Sequence, residues 1–122
     1  FRMRVLVDTS VWIDHLNRGE ARLAELLNEG LVAMHPLVVG ELACGNLRNR
    51  REIMNLLGGL PMAARAEDGE LLEFISGQKL YGKGLGVVDA HLLAACRIER
   101  ILLWTRNKRL SAAAKSVKVA TM

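Results

Sequence analysis

Three acidic residues lie in apolar surroundings where ionised side chains are uncommon. Asp8 directly follows the strand-forming run of residues 5–7 and precedes two hydroxyl residues. Glu41 and Asp89 lie in segments with helical periodicity, and each has apolar residues three and four positions away. Because a buried carboxylate is costly unless it is paired or bound to a metal, we expect these acids to point inward and to meet at one site.

Each acid taken alone also has an ordinary structural explanation. A buried Arg or Lys could neutralise the carboxylate, and Asp89, in the first turn of its helix, could instead satisfy the helix N-terminus. The occurrence of three such acids favours a shared divalent cation. Oxygen ligands without clustered His or Cys are typical of Mg²⁺ or Mn²⁺ rather than Zn²⁺.

A site of this kind should be unstable without its cation. Two carboxylates about 4 Å apart repel each other by about 4 kcal/mol at an effective dielectric constant of about 20. We therefore expect Mg²⁺ or Mn²⁺ to raise the melting temperature, and Asp8→Asn to stabilise the metal-free protein.

The overall composition is that of one globular domain spanning residues 1–122. The chain is 51% hydrophobic and 25% charged, which excludes a disordered protein. Its net charge of +4 and pI of about 9.5 suit a polyanionic partner such as nucleic acid, or ordinary solubility charge. No apolar run reaches the roughly 20 residues that cross a membrane. These features predict a cytoplasmic protein without a membrane partner.

Several other residues that often do chemistry are given structural interpretations. Cys44 and Cys96 lie in helical patterns without metal-ligand spacing and are predicted to be reduced core thiols. His91 is predicted to be a packing or surface residue, and His35 has no partner at metal-ligand spacing. Met3 fits a natural first residue, which would make residues 1–2 an addition from cloning.

Apolar segments with strand character alternate with helical segments along the chain. The predicted strands are residues 4–8, 31–34, 60–63, 101–104 and 117–119, and the predicted helices are 11–16, 20–29, 36–44, 47–57, 67–80, 87–98 and 107–115. Continuous apolar strands separated by helices are typical of a parallel sheet covered on both faces. The predicted fold is a three-layer α/β/α sandwich around a mostly parallel sheet of about five strands.

Four segments of the chain resemble a known family. VLVDTSVWI (5–13), GEL (40–42), VDAHLLAA (88–95) and LWTRNKRL (103–110) are together similar to PIN-domain ribonucleases of the VapC toxin family, which belongs to type II toxin–antitoxin systems. The resemblance spans nearly the whole chain in the family's order. It implies an Mg²⁺-dependent endoribonuclease that hydrolyses RNA phosphodiester bonds and leaves a 5′ phosphate.

The resemblance also implies roles for individual residues. Asp8, Glu41 and Asp89 fall on acidic positions that hold the metal and activate water, and Thr9 and Thr105 fall on polar positions beside the site. Asn107 departs from the pattern, because family members commonly have an acid there. An amide oxygen can ligate a cation or orient water but brings no charge, so both one-metal and two-metal mechanisms stay open.

The implied partners are RNA, a VapB-like antitoxin and a second copy of the chain in a homodimer. Basic residues near the acids are the predicted contacts for the RNA backbone: Arg106, Lys108 and Arg109 first, with Lys79 and Lys83 as secondary candidates. Phosphate binding of this kind weakens steeply with salt.

Two other functions remain open at this point. The first is a catalytically weakened PIN domain that binds antitoxin or RNA without cutting, as the amide at Asn107 suggests. The second is phosphomonoester hydrolysis of the haloacid-dehalogenase type, which also uses an Asp at the end of the first strand. That chemistry needs a second acid two positions later, where this chain has Ser10. The glycine-rich loop at 81–86 lacks the P-loop pattern and is interpreted as a connection.

Overall fold

A parallel three-stranded sheet forms the centre of the protein, which a computed structural model describes for residues 3–122. Strand β1 (Val5–Val7) lies between β2 (Val32–Ala33) and β3 (Leu102–Trp104), and all pairings are parallel. The predicted α/β fold with a parallel sheet is therefore confirmed. The expectation about the origin of Phe1 and Arg2 concerns residues outside the described part.

Seven helices connect and flank these strands within residues 3–122. They are α1 (Thr9–Arg18), α2 (Ala21–Asn28), α3 (Pro36–Ala43), α4 (Arg50–Gly58), α5 (Asp68–Gly77), α6 (Val87–Glu99) and α7 (Lys108–Ser116). All three residues of β1 are at most 1% exposed, although neighbouring side chains of a strand point to opposite faces. Both faces of the central strand are therefore covered, as expected for a parallel sheet. No helix in this range is both long and apolar enough to cross a bilayer.

The prediction of about five strands is wrong, because each edge of the sheet is extended by a single bridge only. At one edge, Met34 pairs with Met62, and Ala63 N–H donates to the Met34 carbonyl at 2.6 Å. Pro61 accepts from Met34 N–H but has no N–H of its own to donate. Residues 60–63 therefore contribute one bridge, not a strand.

At the other edge, the predicted strand 117–119 is absent because α7 uses its backbone N–H groups. Val117 and Val119 donate to carbonyls of the last turn of α7, and Lys118 between them has a φ of 61°. This arrangement is a Schellman-type helix end with a lysine in the left-handed position that glycine usually occupies. The bridge to β3 forms later, between Thr121 and Leu103.

Two helices begin more than one residue away from the predicted start. α1 begins at Thr9 instead of residue 11, and Asp8 is its N-cap, so this acid lies between the end of β1 and the start of α1. α4 begins only at Arg50, because Asn49 has a φ of 50° and interrupts the helical backbone.

Two histidines lie in contact in the core. His35 is fully buried and His91 is 3% exposed, and their ring centroids are 5.7 Å apart. The Nδ1 atom of His35 caps α3 by accepting from Leu37 N–H at 3.1 Å, so the Nε2 atom carries its hydrogen. Burial, helped by the charges of His91 and Arg65, lowers the pKa of His35 to about 4, and burial also lowers the pKa of His91. His91 is thus a packing residue, as predicted.

We expect the protein to lose stability as the pH falls from about 7 to about 5. The unfolded chain protonates His35 near pH 6.5, whereas the folded chain resists protonation until about pH 4, so acid favours the unfolded state. For His35 alone, the free energy of unfolding should fall by about 2 kcal/mol over this range. Urea unfolding at both pH values measures it. In His35→Asn, which keeps an acceptor for Leu37 N–H, the pH-dependent difference should shrink, and an unchanged difference would contradict the assignment.

Candidate active site

Asp8 lies at the carboxyl end of the central strand and accepts three hydrogen bonds. Thr9 N–H donates to its Oδ1 atom at 2.8 Å, and the hydroxyls of Thr105 and Ser10 donate to its Oδ2 atom at 2.6 and 3.4 Å. The residue is only 7% exposed. All three partners are donors, which suits an ionised carboxylate and fixes its orientation.

Glu41 is brought next to Asp8 through a threonine. The Thr9 hydroxyl donates to Glu41 Oε1 at 2.6 Å, and Thr9 is the residue that follows Asp8. This contact joins the start of α1 to the last turn of α3, 32 positions away. The structure therefore places two of the three predicted acids, and the predicted supporting residue Thr9, in one hydrogen-bonded group.

The prediction that Glu41 points into the core is wrong, because its side chain is exposed. The buried residues of α3 are Val38 and Leu42, which lie four positions apart on one face. Glu41 lies beside that face rather than on it. Cys44 follows the end of α3 and is exposed, so it is not a core thiol, whereas Cys96 is buried as predicted.

Thr105 and Asn107 form the side of the site that follows β3. The Thr105 hydroxyl, which donates to Asp8, accepts from Asn107 N–H at 3.0 Å. The Asn107 side-chain oxygen caps α7 by accepting from Arg109 N–H at 2.9 Å and Leu110 N–H at 3.2 Å. Asn107 therefore shapes the site through its backbone, while its amide oxygen stabilises a helix start.

Asp89 takes the helix-capping role that was the structural alternative. Its Oδ2 atom accepts from Gly86 N–H at 3.0 Å, and the residue is half-buried rather than inward-pointing. Because α6 leads directly into β3 and packs against it, we expect its N-terminus, and with it Asp89, to lie at the carboxyl end of the strands, where Asp8 lies. No hydrogen bond within residues 3–122 joins Asp89 to Asp8 or to Glu41.

The chemistry of these donors fits a hard divalent cation. Asp8, Glu41 and Asp89 offer carboxylate oxygens, and Glu41 Oε2 and Asp89 Oδ1 make no hydrogen bond to another described residue. However, no group of three His, Cys, Asp or Glu side chains within 3–122 is already arranged to hold a metal ion. The assignment of a cation shared by all three acids therefore stays a prediction.

Arg106, a predicted RNA contact, is already paired with two acids. Its Nε atom is 2.6 Å from Asp14 Oδ2 and its Nη2 atom is 2.8 Å from Glu20 Oε2, while its backbone N–H donates to Ser10 Oγ. These contacts join the end of β3 to α1 and to the start of α2. Ser10 is thus a structural residue, and nothing at its position supplies the second acid of a haloacid-dehalogenase site.

Lys108 and Arg109 are more available to a polyanion. Both are exposed, and neither has an acidic partner among the residues that the structure describes. The Arg109 guanidinium packs against Gly84, where an added Cβ would lie 2.6 Å from its Nη1 atom. Gly84 also has a φ of 75°, which L residues rarely adopt. Glycine at this position therefore leaves room for Arg109 to lie against the loop that leads to Asp89.

Comparison with known families decides what kind of protein carries this site. The sequence pattern of the PIN domain matches residues 5–116. A protein called ribonuclease VapC32, from two Mycobacterium tuberculosis strains, is 44% identical over 117 residues, which cover 95% of this chain and 94% of that protein. The chain belongs to the VapC family of PIN-domain proteins.

Solved structures at lower identity share the PIN fold. A structure of FitAB bound to an IR36 DNA fragment has a TM-score of 0.65 at 18% identity, and covers 97% of this chain and 93% of its own. PAE2754 from Pyrobaculum aerophilum has a TM-score of 0.69 at 15% identity, with coverage of 98% and 89%. FitAcB from Neisseria gonorrhoeae has a TM-score of 0.65 at 19% identity, with coverage of 97% and 96%.

Two features of this PIN domain were missed in the sequence. The ion pairs of Arg106 join residues 86 and more positions apart, and no local pattern signals them. The contact between Gly84 and Arg109 was also missed, although a Lys-Gly-Leu-Gly run before a helix could have suggested a close approach of the backbone.

We expect Thr105→Val to destabilise the PIN domain. The change keeps the shape of the side chain but leaves a buried carboxylate oxygen without its 2.6 Å donor, which costs about 1.5–3 kcal/mol for a hydrogen bond to a charged group. Urea unfolding measures the loss. Thr121→Val is the matched control, because the Thr121 hydroxyl makes no side-chain hydrogen bond to another described residue. Equal stability of the two variants would contradict the assigned contact.

Proposed function

We propose that the protein is a metal-dependent endoribonuclease, the toxin of a VapBC-type toxin–antitoxin pair. The observation that carries this proposal is the buried, three-fold hydrogen-bonded carboxylate of Asp8 at the carboxyl end of the central strand, with Glu41 beside it. Ligands of open α/β sheets bind at the carboxyl ends of the strands. The name of the 44% identical relative, ribonuclease VapC32, supports RNA as the substrate.

The residues of the chain divide the catalytic work. Asp8, held in one orientation, and Asp89 are the main metal ligands, and Glu41 either completes the coordination or orients the attacking water through its second oxygen. Thr9 and Thr105 position the two carboxylates that they contact. A bound Mg²⁺ or Mn²⁺ supplies charge neutralisation at the phosphate and a more acidic water. Hydrolysis by in-line attack then leaves a 5′ phosphate.

The proposed partners follow from the same family. A VapB-like antitoxin holds the nuclease inactive. The chain forms a homodimer and acts on RNA in the cytoplasm. The net charge of +4 supports a polyanionic substrate, as do Lys108 and Arg109, which have no acidic partner within residues 3–122.

A binding module without nuclease activity is the second candidate, and the positions of Asn107 and Asp89 favour it. Asn107 supplies no charge and uses its amide oxygen as a cap, and Asp89 bonds to Gly86 rather than to the other acids. Only Asp8 and Glu41 are then close to each other. RNA binding in EDTA without cleavage in Mg²⁺ would identify this second function.

Glu41→Gln should abolish metal-dependent RNA cleavage while leaving stability nearly unchanged. The side chain is exposed and the amide oxygen can still accept from Thr9, so the change removes a charge and little else. Cleavage of a structured RNA with Mg²⁺, followed on gels with mapping of the product ends, measures the loss. Glu52→Gln on α4 is the matched control. Full activity of Glu41→Gln would contradict the proposed role.

Asp8→Asn should also abolish cleavage, but it should not stabilise the metal-free protein as the sequence had suggested. All three partners of Asp8 are donors, so the NH₂ group of an asparagine would face at least one of them. Mg²⁺ should raise the melting temperature of the wild type and have no effect on Asp8→Asn. An equal Mg²⁺ response in the two proteins would exclude Asp8 as a ligand.

Arg109→Gln should weaken RNA binding, and Arg106→Gln should mainly lower stability. Arg109 is exposed and has no acidic partner in the described part of the chain, whereas Arg106 is paired with Asp14 and Glu20. Losing one phosphate contact should reduce the slope of log affinity against log salt by about 0.7 for a single strand. Fluorescence anisotropy at several salt concentrations, with urea unfolding of the same proteins, separates the two effects. The reverse pattern would contradict this division.

A further inference from the structure

A hollow near the acidic group has no part in the function described so far. It has a volume of about 620 Å³ and lies between the end of α1 and the loop that joins α3 to α4. Leu16, Leu47 and Ile53 form apolar parts of its wall. Its size is within the range of about 300–1,000 Å³ that small-molecule sites occupy. We call it the Asn46 cleft, after a residue in the middle of that loop.

The Asn46 cleft continues to the acidic group. A second hollow of about 180 Å³ is also lined by Glu41, and it shares four residues with the first: Leu16, Asn17, Asn46 and Leu47. Glu41 is in turn bonded to Thr9, next to Asp8. A linear polymer bound across Asp8 and Glu41 can therefore place its neighbouring unit in this cleft.

The polar groups of the cleft are free to bind a ligand. The side-chain amides of Asn17, Asn46 and Asn49 make no hydrogen bond to another described residue, and Asn49 does not cap α4 although it stands at the N-cap position. Each amide has N–H donors and a carbonyl acceptor. It can therefore pair with the edge of a nucleic-acid base, which also carries donors and acceptors. Arg48 has no acidic partner in residues 3–122.

The loop that carries these groups is held in place. The Arg50 guanidinium donates to the Gly45 carbonyl at 3.4 Å, which closes the loop on itself. The Asn49 backbone has a φ of 50°, a conformation that costs free energy for a residue other than glycine and that places Arg48 before the start of α4. The cleft is thus bordered by a loop whose ends, Gly45 and Arg50, are joined by this hydrogen bond.

We propose that the Asn46 cleft binds one unstacked nucleotide of the RNA, next to the bond that is cut. Leu16 and Leu47 contact the face of the base, the amides of Asn17 and Asn46 read its edge, and Arg48 binds a phosphate. This inference rests on the proposed endoribonuclease function and adds to it a site that selects the sequence around the cut. Single-stranded RNA loops are read in this way, by contact with the base face and hydrogen bonds to its edge.

Charge favours RNA over a protein segment as the occupant. Arg48, Arg50 and Arg51 lie within four positions, and none of them has an ion-pair partner in the described chain. A polyanion supplies the missing negative charge at every unit of its backbone. The free amides need partners that both donate and accept, which a base provides at one edge.

RNA binding tests the role of Arg48. The probe is a fluorescein-labelled hairpin with a randomised single-stranded loop, measured by anisotropy in EDTA so that no cleavage occurs. Arg48→Gln should weaken binding about threefold to tenfold for all loop sequences and reduce the salt slope by about 0.7. Lys115→Gln, an exposed charge at the end of α7, is the matched control and should bind like the wild type.

Sequencing of the cleavage products tests the role of Asn46. In Mg²⁺, the wild type should cut the randomised loop with a preferred base at one position beside the cut. Asn46→Ala should reduce that preference about tenfold and leave the salt slope unchanged, while Asn55→Ala on α4 should cut like the wild type.

The outcomes separate the two proposals. Wild-type affinity, salt slope and base preference in both variants would overturn the nucleotide site while the nuclease stands. The nucleotide site would also be overturned if Arg48→Gln and Asn46→Ala lost antitoxin binding but kept RNA binding. RNA binding without cleavage would overturn the nuclease proposal. Weaker RNA binding by Arg48→Gln would then still support the nucleotide site, and unchanged binding would overturn it. A wild type that binds no RNA would overturn both.

Discussion

The hydrogen bond between Asp8 and Thr105 is the contact on which the rest of the site depends. It joins residues 97 positions apart, each of which directly follows a strand of the sheet. The parallel pairing of Val7 with Trp104 sets the distance between them, so the bond can form only when β1 and β3 are in register. In a nearly buried position a short bond to a carboxylate is strong, because little water competes for it. The orientation of the candidate catalytic acid is therefore a property of the central sheet.

The polar residues at the carboxyl end of the sheet stabilise the fold as well as forming the site. Asp8, Asp89 and Asn107 each satisfy backbone N–H groups at the start of a helix. The reason is geometric. In a parallel α/β fold the connecting helices run back along the sheet, so they begin at the carboxyl ends of the strands. A substitution at one of these positions changes a helix cap and a site group together. Glu41, which caps no helix, lacks this double role.

The sequence was sufficient to predict the α/β class and most helices, because hydrophobic periodicity is local. It failed where long-range contacts decide the outcome. Residues 117–119 have strand composition, but the end of α7 takes up their N–H groups, and residues 60–63 contain a proline that limits pairing. Glu41 was expected to face inward because apolar residues, among them Cys44, lie three and four positions from it. Cys44 is exposed, and the buried face of α3 contains Val38 and Leu42. The pairing of Arg106 with Asp14 and Glu20 depends on the packing of distant segments and has no local signal.

The two cysteines differ in a way that offers a chemical handle. Burial raises the pKa of Cys96 to about 12, so its thiol stays protonated and unreactive at neutral pH. Cys44 is exposed and free. It lies three positions beyond Glu41, at the start of the loop that contains Asn46 and borders the Asn46 cleft. A thiol-reactive fluorophore would accordingly label one position of the folded chain without any engineered cysteine. Its emission would report on events at the mouth of the cleft.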